Sequence, residues 1–182
     1  MENIASEWLE ALQARFGEIS QIKHIESEGK PKVFVFYFDG WPEPGLMTAV
    51  TFGLSNANHP DWKYGGVELM VSLETQDRSW GLSAAYFASA FFNERPFAYG
   101  DIFMVDDPIS DESEMNAYLV FGPPFLEQAD AQIDLSDRSV FLKGMYPLYE
   151  SELDQYERLG LEDFWRLDEL DILNPRRRPV QT

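Results

Sequence analysis

Val33-Phe34-Val35-Phe36-Tyr37-Phe38 is the stretch of sequence that decides the fold. Its side chains are β-branched or aromatic at all six positions, a composition that favours extended structure. Because neither face of such a strand is polar, it is typical of the middle of a sheet that is covered on both sides. The sequence therefore predicts a layered domain built around a central sheet.

Helices and further strands are predicted on both sides of this segment. Apolar residues recur at every fourth position from Ile4 to Phe16 and predict an amphipathic helix over residues 3–16. The other predicted helices are 79–93, 151–158 and 161–167, and the other predicted strands are 19–25, 47–52, 67–73, 101–105, 118–121, 133–135 and 140–142. Strands come in runs with helices at intervals, so the predicted class is α+β, with a central mixed, largely antiparallel β-sheet flanked by helices.

The chain has 182 residues, which fits one domain, since domains usually have about 100–200 residues. We predict a single domain over residues 1–173. Residues 174–182 carry Arg176-Arg177-Arg178 between prolines, and we expect them to form a flexible basic C-terminal tail.

The formal net charge is −18, from 32 acidic and 14 basic residues. A field of that sign repels nucleic acids and anionic membranes, so neither is an expected partner. It would speed the encounter with a basic protein, although an acidic surface also serves solubility alone.

The expected compartment is the cytoplasm. The N-terminus lacks the basic start and apolar run of a signal peptide, and no apolar stretch approaches the ~20 residues of a membrane span. The chain contains no cysteine, which excludes disulfides and thiol chemistry.

Residues that could support catalysis are few. A hydrolase could combine Ser55, His59 and Asp61, but the groups of known triads come from separate segments that converge in space. Gly65-Gly66 is not followed by the Lys-Ser or Lys-Thr of a phosphate-binding loop. We therefore expect no enzyme activity and no cofactor.

Metal binding is not expected either. The loop at 106–114 carries five carboxylates, but it contains Pro108 and lacks the central glycine of a calcium-binding loop. It is interpreted as a solvated acidic loop.

Glu68 stands out because its neighbours in the predicted strand are apolar. Strand alternation predicts that it points outward, and a hydrogen-bonded structural or binding role is the alternative.

Four blocks of the sequence resemble the suppressor-of-fused domain family. Thr51-Phe52-Gly53-Leu54-Ser55, followed by Gly66-Val67-Glu68-Leu69, resembles its paired "Phe/Tyr-Gly-Leu-Ser" and "Glu-Leu" signatures. Pro96-Phe97-Ala98-Tyr99-Gly100-Asp101 resembles its Phe-x-x-Gly-Asp element, and residues 142–153 are similar to a stretch typical of bacterial members. The blocks occur in the family's order, and the sequence is identified as a bacterial single-domain member.

The resemblance implies a mixed α/β domain that binds proteins rather than catalysing a reaction. Eukaryotic members grip a short peptide of a transcription factor, and bacterial single-domain members look like immunity proteins that neutralise a toxin by binding it. The leading hypothesis is an intracellular immunity-type module that binds another protein. A basic toxin is the partner that the negative charge would suit. The alternatives are a regulatory scaffold that binds by strand addition and an uncharacterised hydrolase.

In the family the aspartate of Phe-x-x-Gly-Asp helps to hold the peptide, and here it is Asp101. The predicted partner-binding residues are Tyr99, Asp101, Asp106, Asp107, Asp111 and Glu112. Asp101 could instead cap a turn through its own backbone. Trp41 and Trp62 are second candidates as anchors, with core packing as the alternative. A second domain that would complete a eukaryotic-type clamp is not expected in this chain.

Overall fold

The structure is a computed structural model that describes residues 2–181. Its helices are α1 (Glu2–Phe16), α2 (Ser79–Ala90), α3 (Leu153–Leu159) and α4 (Leu161–Trp165). Its strands are β1 (Gln21–Ile25), β2 (Val33–Asp39), β3 (Met47–Phe52), β4 (Gly66–Leu73), β5 (Ile102–Met104), β6 (Ala117–Phe121), β7 (Gln132–Asp134) and β8 (Ser139–Leu148).

The eight strands form one sheet in the order β1-β2-β3-β4-β8-β6-β5, with β7 also paired to β8. β4 and β8 are parallel, and the other neighbouring strands are antiparallel. This arrangement confirms the predicted α+β class and the mixed, largely antiparallel sheet. β1 and β5 end the order, so each has a strand neighbour on one side only within residues 2–181.

The helix α1 covers one face of the sheet. Trp8 and Leu12 on α1 belong to the same buried cluster as Phe36 and Phe38 of β2. Val35 and Tyr37 are buried on the opposite face, so β2 is covered on both faces as the sequence predicts. It lies second from an edge of the sheet rather than in the middle. The middle is occupied by β4, whose eight residues are all buried.

The helix α2 covers the opposite face, where Trp80 and Phe87 cluster with Val35 and Tyr37 of β2. Gly81 allows this close approach, because a Cβ atom there would lie 2.6 Å from Cε1 of Tyr37. A smaller cluster forms around Phe164 of α4, next to β6 and the end of β8. None of the helices in residues 2–181 has the length and apolar character needed to span a membrane.

Residues 174–181 pack against the domain, contrary to the expectation of a flexible tail. Arg177 and Val180 are buried. Nη2 of Arg177 donates to Oε2 of Glu152 at 2.8 Å, and the Val180 N–H donates to Oε1 of Glu152 at 2.8 Å. The tail docks because Glu152 is fully buried and its charge needs a partner. Thr182 lies outside the described residues, and the domain boundary at residue 173 stays a prediction.

Candidate functional site

Glu68 is fully buried, which corrects the expectation that it points outward. Its carboxylate accepts a hydrogen bond from the Thr51 hydroxyl at 2.6 Å. It also accepts the backbone N–H groups of Gly53 and Ser55, both at 2.8 Å. Alternation was misleading because β4 lies between β3 and β8, with helices over both faces of the sheet.

The Glu68 carboxylate binds backbone N–H groups at the point where β3 and β4 stop pairing with each other. The pairing of β3 with β4 ends at Val50 and Met70, and the next backbone donor, the Leu69 N–H, binds Oγ1 of Thr51 at 2.8 Å. Burial raises the pKa of Glu68, and the hydrogen bonds from Thr51 and Ser55 oppose that rise. Residues 51–55 and 66–69, the first two blocks of the resemblance, therefore meet at one buried carboxylate.

Tyr99 and Asp101 stand immediately before β5. Oδ2 of Asp101 accepts the Ala98 N–H at 2.9 Å, and Oδ1 lies 3.5 Å from Nη2 of Arg95. The Asp101 side chain is 23% exposed. Asp101 thus caps the turn into β5, as the structural alternative suggested, and still presents part of its carboxylate to solvent.

Tyr99 is the more exposed of the two, at 54%. Its ring packs edge-on against Phe121 at a centroid distance of 5.3 Å, and Nζ of Lys143 lies 5.6 Å from its centroid. Burial of part of the side chain raises the pKa of Tyr99. The Tyr99 ring is thus packed against neighbouring side chains and is also exposed to solvent. Such aromatic side chains are typical of residues that anchor a protein partner.

The acidic loop 106–114 lies at the other end of β5. Asp106, Asp107 and Asp111 are exposed, and none of them forms an ion pair with another residue between 2 and 181. From Asp101 to Asp106 the extended chain covers about 16 Å. The predicted site residues therefore do not form one cluster. They mark the two ends of β5.

Glu112 differs from its neighbours because it is engaged within the domain. Oε1 accepts the indole N–H of Trp80 at 2.7 Å and the Thr75 hydroxyl at 2.5 Å. Oε2 accepts Nη1 of Arg176 at 2.9 Å. Glu112 ties the acidic loop to α2 and to the C-terminal segment, so its charge is the least available of the loop's charges.

β5 lies at the edge of the sheet, with no strand on its outer side among residues 2–181. The Val120 N–H donates to the Asp101 carbonyl at 2.9 Å, and the Val105 N–H donates to the Asn116 carbonyl at 3.0 Å. Because backbone groups alternate in direction along an antiparallel strand, those of Ile102 and Met104 point away from β6. Met104 is also 47% exposed. The sequence predicted a strand here, but it carried no signal that the strand would lie at an edge.

The other candidates from the sequence do not assemble into a catalytic or metal site. Ser55 is buried, and its Oγ has no hydrogen-bond partner within the described chain, so no Ser–His contact is formed. Nδ1 of His59 accepts the Asp61 N–H at 3.2 Å. Among residues 2–181, no group of three or more His, Cys, Asp or Glu side chains is placed to hold a metal ion.

Both tryptophan candidates are half-buried and packed. Trp41 meets Phe16 edge-on at 4.7 Å between ring centroids. The indole N–H of Trp62 donates to the Pro96 carbonyl at 2.9 Å. These contacts fit core packing, which was the alternative to a role as interface anchors for Trp41 and Trp62.

The fold is that of a mixed-sheet α+β domain with an open strand at the edge of its sheet. The suppressor of fused protein (SUFU) family model matches residues 29–178, and the chain belongs to that family. No curated protein sequence matches the chain.

Solved structures share the fold at low sequence identity. A suppressor of fused homolog from Neisseria gonorrhoeae is 18% identical, with a TM-score of 0.74 and full coverage of both chains. Drosophila Suppressor of Fused is 15% identical with a TM-score of 0.62, over 97% of this chain and 50% of that one. A chain of the Sufu–Fu complex is 15% identical with a TM-score of 0.66, over 97% of this chain and 91% of that one. This chain spans half the length of the Drosophila protein.

Proposed function

We propose that this protein is an immunity-type binding module that captures a basic partner protein at the β5 edge and neutralises it by occupying the partner's functional surface. The observation that carries the proposal is the pair of outward-facing backbone positions at Ile102 and Met104. A partner segment could add a strand there, as peptides do at exposed sheet edges in other domains.

The side chains around this edge match that mode of binding. Tyr99 before β5 and Met104 within it supply exposed apolar surface. Asp101 lies at one end, and Asp106 and Asp107 lie at the other. Main-chain hydrogen bonds would provide affinity, and the aromatic ring and the flanking carboxylates would select a basic segment.

Two further facts support the proposal. The chain belongs to the suppressor of fused family, and one structural neighbour is a chain of the Sufu–Fu complex. The net charge of −18 favours fast encounter with a basic protein and disfavours nucleic acid. We place the action in the cytoplasm, with no catalytic step and no cofactor. A regulatory scaffold would use the same edge and would differ only in the consequence of binding.

The test is co-expression of this protein with the product of the neighbouring gene, followed by affinity purification and titration of the purified pair. We expect relief of toxicity and a complex that is weakened about 10- to 100-fold by Tyr99→Ala, the range expected for an interface anchor. Tyr86→Ala is the matched control, since Tyr86 is a tyrosine of similar exposure, at 46%, that lies on α2. If the neighbour's product does not bind at micromolar concentration, the immunity role is wrong. If Tyr99→Ala and Tyr86→Ala bind equally well, the site is wrong.

A further inference from the structure

A separate cleft of about 200 Å³ lies between the loop at 57–65 and β8. Its principal lining residues are Trp62, Lys63, Tyr64, Phe141 and Lys143. Pockets for drug-sized ligands usually enclose about 300–1,000 Å³, so this cleft has room for a group the size of one side chain.

Aromatic rings form the walls of the cleft. Trp62 is fixed by the hydrogen bond from its indole N–H to the Pro96 carbonyl, at 2.9 Å. Tyr64 is 86% exposed and has the most exposed large apolar side chain of the described chain. Together with Phe141, these rings offer faces against which a flat apolar group can pack.

Lys143 supplies an incompletely partnered positive charge. Its Nζ donates to the Phe97 carbonyl at 2.7 Å, and burial lowers its pKa. An ammonium group has three donors, and this is its one hydrogen bond within the described chain. The charge of Asp101 opposes the lowering of the Lys143 pKa, but Asp101 forms its ion pair with Arg95.

The positive charge in the cleft is unusual for this chain. Neither Lys63 nor Lys143 forms an ion pair with any residue between 2 and 181, although the chain has 32 acidic residues. Asp61 is the acidic residue that lines the cleft. Its side chain is 70% exposed and lies 3.9 Å from Nδ1 of His59. Two lysines without an ion-pair partner among residues 2–181 therefore line a small cleft with aromatic walls.

We propose that this cleft binds an organic carboxylate with a flat apolar body. The carboxylate would meet the ammonium groups of Lys143 and Lys63, and the apolar body would lie against Trp62, Tyr64 and Phe141. The carboxylate would accept charge-assisted hydrogen bonds from the N–H groups of Lys143 that have no acceptor within the described chain. Two sources present this chemistry: a free aromatic acid, and the C-terminal carboxylate of a protein chain that ends in an apolar residue. The cleft neighbours the β5 site, since Nζ of Lys143 also lies 5.6 Å from the ring centroid of Tyr99, but its test needs no protein partner.

The test is a titration of the isotope-labelled protein followed by NMR, with the Trp62 indole signal assigned by Trp62→Phe. The probes are phenylacetate, its neutral amide, and acetyl-Gly-Phe with a free or an amidated C-terminus. We expect both carboxylates to shift the Trp62 signal and both amides to bind at least about 10-fold more weakly, the range for a charge-assisted contact. Binding of phenylacetate alone assigns the site to free acids, and tighter binding of the peptide acid assigns it to chain termini.

Two variants locate the site. Lys143→Met keeps the aliphatic stem, and Tyr64→Ala changes an exposed side chain that the fold does not need. Each should weaken binding of the carboxylates at least about 10-fold, whereas Lys23→Met, on β1, should leave it unchanged. If Lys143→Met does not fold, Tyr64→Ala still decides the question. Equal binding of acids and amides, no binding of any probe, or binding that is unaffected by Tyr64→Ala would overturn the proposal.

Discussion

The guanidinium of Arg177 and the carboxylate of Glu152 form an ion pair that is almost completely shielded from solvent. Their side chains are 4% and 0% exposed. The Tyr149 hydroxyl donates to the Arg177 carbonyl, and the N–H groups of Tyr149 and Val180 donate to the Glu152 carboxylate. This pair fastens the C-terminal segment to the chain that follows β8.

Removing Arg177 should destabilise the whole domain. Arg177→Met leaves the Glu152 carboxylate buried without its cation, and breaking a buried pair in this way costs about 3–5 kcal/mol. Urea unfolding monitored by tryptophan fluorescence measures the loss. Arg178→Met is the matched control, since Arg178 is exposed and should change the free energy of unfolding by less than about 0.5 kcal/mol. Equal stability of the two variants would show that the Arg177–Glu152 ion pair contributes nothing to stability.

Glu68 should make the free energy of unfolding decrease as the pH rises. Burial raises its pKa in the folded state above its ordinary value of 4.5, so the folded chain keeps this proton at a pH where the unfolded chain has lost it. Its contribution to the free energy of unfolding must then fall as the pH rises from 4.5 through the raised pKa.

Glu68→Gln removes this titration. The free energy of unfolding of the wild type minus that of Glu68→Gln should therefore decrease as the pH rises above 4.5. Chemical unfolding at a series of pH values measures the difference. A difference that stays constant or grows with pH would mean that hydrogen bonds from Thr51, Gly53 and Ser55 outweigh burial.

Gly81 should not tolerate a methyl group. Alanine is the better helix former by about 1 kcal/mol, but its Cβ would lie 2.6 Å from Cε1 of Tyr37 and 2.7 Å from Cβ of Ala49. Overpacking typically costs about 1–3 kcal/mol, and we expect Gly81→Ala to be destabilising overall. Gly122→Ala is the control, because the nearest atom would be the Tyr99 hydroxyl at 3.9 Å. A stabilised Gly81→Ala, read by thermal unfolding, would contradict the close packing of α2 on the sheet.

Asp101 should serve both the turn and the partner, and two substitutions separate these roles. Asp101→Ala removes the acceptor of the Ala98 N–H and should cost about 1 kcal/mol, whereas Asp101→Asn keeps an acceptor and should cost less. Both remove the charge and should weaken capture of a basic partner. Unfolding experiments and calorimetric titration measure the two effects. If Asp101→Asn binds the partner as tightly as the wild type, the charge of Asp101 has only a structural role.

The sequence predicted the elements whose signal is local. The four-residue spacing from Ile4 to Phe16 predicted α1, and the unbroken apolar run at Val33–Phe38 predicted β2 within a residue. The order of the sequence blocks predicted the family, which the match over residues 29–178 confirms.

The features that were missed depend on distant parts of the chain. Glu68 is buried because β8, which begins at Ser139, pairs with β4 in parallel. Arg177 is ordered because it meets Glu152, and neither residue carries a local sign of burial. The edge position of β5 likewise follows from the strand order, so the sequence named Tyr99 and Asp101 as candidates but not Met104.

Amide hydrogen exchange at β5, in the free protein and in the complex with its partner, tests the central claim most directly. Strand addition predicts that the Ile102 and Met104 amides exchange at least about 10-fold more slowly in the complex. The amides of β1, at the opposite edge, should be unchanged and serve as the internal control. A complex that forms while exchange at Ile102 and Met104 stays at its free rate would contradict binding at the β5 edge.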